Sequence, residues 1–254
     1  MLRSGLVSVT FRQLKPEEIV SLTAKAGLEG IEWGGDIHVP AGDLKRAQEV
    51  SRMMEESGLV TAAYGSYYRV GVDPCGVDCF EKVLNTALEL KAPTIRVWAG
   101  NKGSADADEA WWDRIILEAG NIADLCKKES VTVSFEYHGG TLTDTPESAL
   151  RLMKSIGHPQ MRCYWQPLRH LNREDRKNGL QKVLPWLGNI HVYHWIDQVR
   201  YPLVDGKMDW SDYFNTIDAI DGERFAMLEF VKGDDPACFL EDANTLKKLI
   251  QGDR

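Results

Sequence analysis

The sequence repeats a short β-rich run about once every thirty residues, and each run is followed by a segment with helical periodicity. The first run covers residues 6–11. Seven more runs close the segments 25–33, 56–64, 90–98, 127–136, 156–165, 186–194 and 221–229. A strand–helix unit repeated along one chain builds a parallel sheet, and eight such units closing into a barrel need about 250 residues. The 254 residues therefore predict an α/β fold, a (β/α)8 TIM barrel that forms one domain over residues 1–254.

Residues typical of helix boundaries lie between the predicted strands. Gly157 and Gly188 stand where helices must end, a position that favours glycine because the backbone there is often left-handed. Thr145 and Pro146 place a capping side chain directly before a proline suited to the first helical position. No linker or second domain boundary interrupts the pattern, so the repeat runs through the whole chain.

Composition and charge restrict the classes of partner. The net charge of −8 at pH 7 repels nucleic acid and anionic membranes, so we expect neither as a partner. No apolar run approaches the ~20 residues that span a bilayer, and the N-terminus lacks the apolar stretch of a signal peptide. The five cysteines are scattered and odd in number, which indicates thiols in a reducing compartment. We expect a cytoplasmic protein with a small-molecule partner; whether it forms a homo-oligomer is left open.

Four polar side chains close four consecutive predicted strands. Glu136, Gln166, His194 and Glu229 end the fifth, sixth, seventh and eighth runs. A closed parallel barrel brings the carboxyl ends of its strands together on one face, where such barrels keep their chemistry. Carboxylate, amide and imidazole groups that converge there suit a divalent metal. The sequence therefore predicts a metal site with these four side chains as ligands.

Each of these residues also has an ordinary structural interpretation. A glutamate at a strand end can pair with a surface lysine, a glutamine can serve only as a hydrogen-bonding group, and a lone histidine more often packs in the core. Strand alternation gives a test, because successive side chains point to opposite faces. If His194 points into the barrel, Ile190 and Val192 share its face and His191 packs outward against the helices.

The order of these residues resembles the xylose-isomerase-like (β/α)8 superfamily, in particular its sugar isomerase and epimerase branch. The resemblance runs from the segment GLEGIEW to the final helix. The family's fifth strand ends in a glutamate followed by Asn-His, which resembles Glu136 and His138 with a tyrosine between them. Its seventh-strand motif His-x-x-Asp resembles His194 and Asp197, and its eighth-strand glutamate matches Glu229.

The resemblance also implies a metal-dependent chemistry, and this chain differs from the family at one expected metal ligand. The family holds a divalent metal, often manganese, and here Mg²⁺, Co²⁺ or Zn²⁺ are the alternatives. Its two glutamates act as ligands and as acid and base through an enediolate, which assigns catalysis to Glu136 and Glu229. The family's sixth strand usually supplies an aspartate, often with a histidine three residues later. This chain has Gln166 there and His170 four residues later, which predicts weaker metal binding.

Further polar and aromatic residues follow the predicted strands towards the same face. Aromatic rings beside polar groups suit sugars, whose C–H faces stack on rings and whose hydroxyls need hydrogen-bond partners. Any one of these aromatics is equally consistent with packing, and Arg200 is consistent either with a phosphate or carboxylate site or with a solvated loop. The predicted substrate-binding residues are Glu32, His38, Tyr64, Arg96, Trp98, His138, His170 and Arg200.

We predict a metal-dependent isomerase or epimerase that acts on a sugar or another hydroxy-carbonyl compound. A lyase on the same scaffold, dehydrating a keto-inositol or a keto acid, starts with the same proton abstraction, and the sequence does not separate the two. A DNA repair enzyme of the AP-endonuclease type would need a basic groove and a multi-zinc cluster, which six histidines and a net charge of −8 disfavour. A non-catalytic sugar-binding barrel follows only if Gln166 abolishes metal binding.

Overall fold

The computed structural model describes residues 1–253 and shows eight parallel strands closed into a barrel. The barrel strands are β1 (Leu2–Val7), β2 (Gly30–Gly34), β3 (Val60–Arg69), β4 (Thr94–Trp98), β5 (Thr132–Phe135), β6 (Met161–Trp165), β7 (Leu187–Val192) and β10 (Arg224–Leu228). Around the barrel they follow the order β1-β10-β7-β6-β5-β4-β3-β2, so that the last strand pairs with the first. The predicted (β/α)8 barrel is confirmed.

Eight α-helices within residues 1–253 connect and cover the barrel strands. They are α1 (Pro16–Ala26), α2 (Leu44–Glu56), α3 (Val77–Glu89), α4 (Glu109–Lys128), α5 (Pro146–Ile156), α6 (Arg173–Val183), α7 (Lys207–Ile217) and α8 (Pro236–Ile250). A short antiparallel hairpin, β8 (His194–Ile196) and β9 (Val199–Tyr201), lies between β7 and α7. None of the helices described over this range is long and apolar enough to cross a membrane.

The helix boundaries follow the sequence signals with one exception. The Thr145 hydroxyl accepts a hydrogen bond from the Ser148 backbone N–H, and α5 ends at Gly157, whose φ of 59° is left-handed. Gly188, however, lies inside β7 instead of ending a helix. A Cβ atom at this position would lie 3.2 Å from Ser134 Oγ, so the tight interior of the barrel, rather than a turn, favours glycine there.

The outer faces of the strands are apolar because they pack against the helices. Val133 and Phe135 of β5 and Ile190 and Val192 of β7 are fully buried in the main hydrophobic core. The strand register aligns His191 with Met227 and Val192 with Leu228. Since alternate side chains point to opposite faces, His191, which lies between Ile190 and Val192, points into the barrel.

The inside of the barrel is filled below the site by a smaller hydrophobic cluster. Tyr164, Phe225 and Met227 belong to it. Gly30 makes room for this cluster, since a Cβ atom there would come within 2.8 Å of the Phe225 ring. The barrel interior is therefore filled by side chains and does not form a channel.

The cysteines differ from expectation in one respect. Cys75, in the loop before α3, and Cys79, in the first turn of α3, are joined by a disulfide with their Cα atoms 5.3 Å apart, so the prediction of five thiols is wrong. Cys126, Cys163 and Cys238 are free. Burial raises the pKa of Cys126 and of Cys163 to about 12, which keeps both thiols protonated and unreactive.

Candidate metal centre and active-site cavity

Three ionisable side chains meet at the carboxyl-end face of the barrel. Glu136 directly follows β5, His191 lies in β7, and Glu229 directly follows β10. One potential ligand atom of each lies within 4.8 Å of the others. His191 Nδ1 is 3.6 Å from Glu136 Oε1 and 3.4 Å from Glu229 Oε2. All three side chains are buried, so the barrel holds two carboxylates and an imidazole around one point.

The histidine of this group is His191, and the prediction that His194 joins the two glutamates is wrong. β7 ends at Val192, and His194 begins the hairpin outside the barrel. The His194 ring packs beside Gly206, where a Cβ atom would come within 2.5 Å of Nδ1. The physical reason lies in the outer face of β7. Ile190 and Val192 pack against the helices, so His191, which lies between them, points into the barrel.

The donor set fits a divalent cation. Among the described residues, His191 Nδ1 is a buried nitrogen without a hydrogen-bond partner. Its separations from Glu136 and Glu229 are too long for good hydrogen bonds but suit donors that share one ion. A cation between them would satisfy the orphaned nitrogen and offset two negative charges. Glu136, His191 and Glu229 are therefore the residues that would hold a metal.

Charge within the group shifts the pKa values in opposite directions. Burial by itself would lower the pKa of His191, but the carboxylates of Glu229, Glu32 and Glu136 outweigh burial and raise it well above the ordinary value. Burial would likewise raise the pKa of Glu136, but Arg96 and His191 outweigh it and lower that pKa. A metal that binds His191 must displace a proton, so metal binding weakens as pH falls.

Glu136 is the most constrained of the three. Its Oε2 atom accepts hydrogen bonds from Arg96 Nη1 and from Trp98 Nε1. Its Oε1 atom accepts a hydrogen bond of 3.3 Å from the amide nitrogen of Gln166. Both oxygens are thus oriented before any ligand arrives. Glu229 differs, because His191 is the only cationic or imidazole side chain within ion-pair distance of it among the described residues.

Glu32 lies beside the metal centre rather than in the cavity lining, and its role as a substrate-binding residue stays a prediction. It is fully buried, and it does not line the cavity at the barrel mouth. Its carboxylate accepts a hydrogen bond of 2.7 Å from Arg96 Nε and lies 3.5 Å from His191 Nε2. A carboxylate on the far nitrogen of a histidine fixes the ring and leaves the other nitrogen free for a metal.

Changing Glu32→Gln is expected to weaken metal binding by about 10–100-fold, the usual loss when the partner of a metal-binding histidine is altered. The amide removes the charge that orients His191 and leaves Arg96 with one carboxylate fewer. Titration with Mn²⁺ by calorimetry measures the change, and thermal melting reports the cost to the fold. Glu29→Gln is the matched control, since Glu29 is a partly exposed partner of Arg3 just before β2. Equal Mn²⁺ affinity in both variants would remove Glu32 from the site.

Gln166 contacts the centre through its amide group. The amide nitrogen donates 2.6 Å to the carbonyl oxygen of Tyr137 and also faces Glu136. Because a carbonyl only accepts hydrogen bonds, this contact fixes which end of the amide is nitrogen. The nitrogen is therefore the atom that faces Glu136. Gln166 lines the cavity, and its role as a ligand through the remaining oxygen stays a prediction.

Gln166→Asp is expected to tighten Mn²⁺ binding by about tenfold or more, because ligand charge is a main determinant of affinity in oxygen-rich cation sites. Calorimetry measures the dissociation constant. Gln166→Asn is the matched control: it makes the same loss of one methylene without adding charge, and it should bind Mn²⁺ no better than the original chain. Equal affinity of the aspartate and asparagine variants would exclude residue 166 from the metal's immediate surroundings.

One cavity of about 590 Å³ opens above the metal centre, within the usual size range of small-molecule sites. Glu136 and Glu229 form part of its floor. Of the predicted substrate-binding residues, the cavity lining contains Arg96, Trp98, His138 and His170. The residues that line it beyond the predicted ones are Arg12, Tyr67, Gly139, Leu168, Arg169, Tyr193, Trp195, Gln198 and Phe230.

Three further predicted substrate-binding residues lie outside this cavity. His38 is buried, with Nδ1 3.0 Å from Ser8 Oγ. Tyr64 is fully buried and donates a hydrogen bond of 2.8 Å to the backbone oxygen of Val39. Arg200 forms an ion pair with Asp234. The structure places these three side chains outside the cavity lining, and their role in substrate binding stays a prediction.

A family model described as a xylose isomerase-like TIM barrel matches residues 20–249, and the chain belongs to that family. A 3-dehydroshikimate dehydratase of Bacillus anthracis is 25% identical over 203 residues, which cover 75% of this chain and 71% of the relative.

Solved structures show the same fold. A probable 3-DHS dehydratase from Bacillus anthracis has a TM-score of 0.82 at 22% identity and covers 96% of this chain and 98% of its own. The 3-keto-D-glucoside 4-epimerase of E. coli has a TM-score of 0.78 at 16% identity, covering 99% of this chain and 100% of its own. These three proteins are named as enzymes of two types, dehydratase and epimerase.

Proposed function

We propose that the protein is a divalent-metal-dependent enzyme that removes a proton from the carbon beside a carbonyl group in a small polyhydroxylated compound. The proposal rests on the close approach of Glu136, His191 and Glu229 to one another beneath a single cavity, whose lining includes the two glutamates. Manganese is the metal we favour, with magnesium, cobalt or zinc as alternatives. When bound, the cation would polarise the substrate's carbonyl and make the adjacent C–H more acidic.

The two glutamates have different roles in this proposal. Glu136 is held at both oxygens by Arg96, Trp98 and Gln166, and its lowered pKa makes it a poor proton acceptor. We therefore assign it to holding the metal. Glu229 lines the cavity and has no comparable set of donors among the described residues. It is the carboxylate that we assign to proton abstraction, in addition to its contact with the metal.

His138 supplies a second group that can exchange protons. Its ring stacks on Trp98 with centroids 4.8 Å apart and lines the cavity. Its Nδ1 atom is 2.7 Å from the carbonyl oxygen of Gly139. Since a carbonyl only accepts, Nδ1 carries the proton, and Nε2 of the neutral ring has a free lone pair. We assign His138 to taking up a proton at Nε2 and delivering it to a leaving hydroxyl.

Loss of water is the outcome that these assignments favour. Dehydration needs one base at carbon and one proton donor at the departing hydroxyl, and Glu229 and His138 are the pair available. The relative that is 25% identical is named as a dehydratase, which supports the same outcome. Epimerisation or isomerisation is the second candidate. It is favoured by the position of Glu136 and Glu229, both close to His191 Nδ1, since two carboxylates around one point can serve opposite faces of a carbon.

Product mass distinguishes the two outcomes. The Mn²⁺-loaded protein is incubated with 3-dehydroshikimate, with D-psicose and with a 3-keto-D-glucoside, and the products are read by mass spectrometry. A product lighter by one water supports the dehydratase, and an isobaric product with changed chirality supports the epimerase. Turnover that is unaffected by complete removal of divalent metal would contradict both.

A further inference from the structure

One arginine in the cavity lining has no acidic partner. Arg169 lies in the loop between β6 and α6 and, among residues 1–253, no carboxylate lies within ion-pair distance of it. The other two arginines of the lining, Arg12 and Arg96, are both paired, Arg12 with Asp36 at 2.5 Å. The lining contains no lysine. Arg169 is therefore the one cationic side chain of the described cavity whose charge is not already offset.

The Arg169 side chain is nevertheless held in place. Its guanidinium lies over the Trp195 ring at 4.6 Å and donates a hydrogen bond of 2.5 Å to the amide oxygen of Gln198. Arg176 donates to the backbone oxygen of Arg169 at 3.1 Å and to that of Leu168 at 2.9 Å, which fixes the loop. These contacts orient the guanidinium without neutralising it. A fixed, uncompensated guanidinium is preorganised for an anion.

The charge of the metal centre permits an anion nearby. Glu32 and Arg96 offset one another, and a divalent cation would offset the two carboxylates of Glu136 and Glu229. Gln166 is neutral, whereas a carboxylate at the same position would leave the metal-loaded centre with a net negative charge. The loaded site is then close to neutral, and Arg169 makes the cavity positive overall. The positive charge of Arg169 therefore attracts an anionic substrate to the cavity.

We infer that Arg169 binds a carboxylate group of the substrate, so that the substrate is a hydroxylated keto acid rather than a neutral sugar. The inference rests on the proposed function and names the substrate class of the same site. The planar guanidinium can bind a carboxylate through two parallel hydrogen bonds. One unpaired guanidinium matches the single charge of a carboxylate; a phosphate dianion would need further cations, and the other arginines of the lining are already paired.

The test uses three probes that share one keto-hydroxyl end and differ at the other: D-fructose, D-fructuronate and D-fructose 6-phosphate. Calorimetry measures the affinity of each for the Mn²⁺-loaded protein. D-fructuronate is expected to bind about 10–100-fold more tightly than D-fructose, as for a hydrogen bond between charged groups. In Arg169→Gln this preference should collapse to near parity. Arg52→Gln, an exposed arginine of α2 that no ion pair engages among the described residues, should keep the preference.

Every other outcome overturns a defined part of the inference. Equal binding of D-fructose and D-fructuronate would show that the site does not select a carboxylate, while the proposed function stands. Tighter binding of D-fructose 6-phosphate would replace the carboxylate by a phosphate. A preference that survives Arg169→Gln would move the anion site to another residue. If none of the probes binds while Mn²⁺ does, the proposed function itself fails, and the assignment of Arg169 falls with it.

Discussion

Glu229→Gln is expected to lower turnover by a factor of roughly 10²–10⁴, the usual contribution of one general acid–base group. The amide has nearly the same shape as the carboxylate but cannot accept a proton from carbon. Steady-state kinetics at saturating Mn²⁺ measures the loss of kcat on the substrate that turns over, and calorimetry verifies that the metal is bound. Because Glu229 has few partners among the described residues, the melting temperature should change little.

Two other glutamates provide the controls for this result. Glu241→Gln makes the same chemical change on an exposed face of α8 and should leave turnover unaltered. Glu136→Gln should also lower activity, but through loss of metal, so excess Mn²⁺ should restore part of it. Excess Mn²⁺ should restore little in Glu229→Gln. Near-full turnover of metal-loaded Glu229→Gln would show that Glu229 is not the base.

His191→Gln is expected to weaken Mn²⁺ binding by more than about 100-fold, because altering only the partners of metal-binding side chains already costs roughly 10–100-fold. The variant loses the only imidazole of the metal centre and leaves two buried carboxylates facing each other. Calorimetric titration measures the affinity, and the activity at low Mn²⁺ should fall in parallel.

His194→Gln is the matched control for His191. Both histidines belong to the segment that closes the seventh repeat, and both changes replace an imidazole by an amide. His194 packs against the hairpin and Gly206, outside the cavity, so its variant should bind Mn²⁺ as the original chain does. A larger loss in His194→Gln than in His191→Gln would restore the assignment made from the sequence and reject the one made from the structure.

The fold could be predicted from the sequence because its signals are local and repeated. The alternation of strand and helix, with Thr145 and Pro146 at a helix start, specifies a parallel barrel without knowledge of any long-range contact. The strand-end glutamates could be placed for the same reason. Glu136 and Glu229 directly follow their strands, and a barrel brings those ends together.

The direction of His191 and His194 depends on where the seventh strand ends. The predicted strand runs two residues past the end of β7, which reverses the predicted assignment of its faces. The outer face of a barrel strand must pack on helices, so the apolar Ile190 and Val192 were the better guide to its direction. The polar residue between them, His191, then points inward.

Contacts between distant segments could not be predicted from local patterns. Glu32 lies within β2, and it is buried by contacts with Arg96 and His191, which are far away in the sequence. Arg169 lies in a loop, where no periodicity fixes the direction of a side chain. Its importance depends on which other arginines have acidic partners, and that is a property of the folded chain.

The most direct test of the account is the position of Mn²⁺ in crystals, measured by anomalous scattering at the manganese absorption edge. We predict one strong peak per chain, bounded by Glu136, His191 and Glu229 at bond lengths of about 2.0–2.2 Å, the range of nitrogen and carboxylate ligands to a divalent metal. A peak coordinated by His194, or crystals grown in excess Mn²⁺ with no peak among the three side chains, would contradict the central claim that these residues form the metal centre.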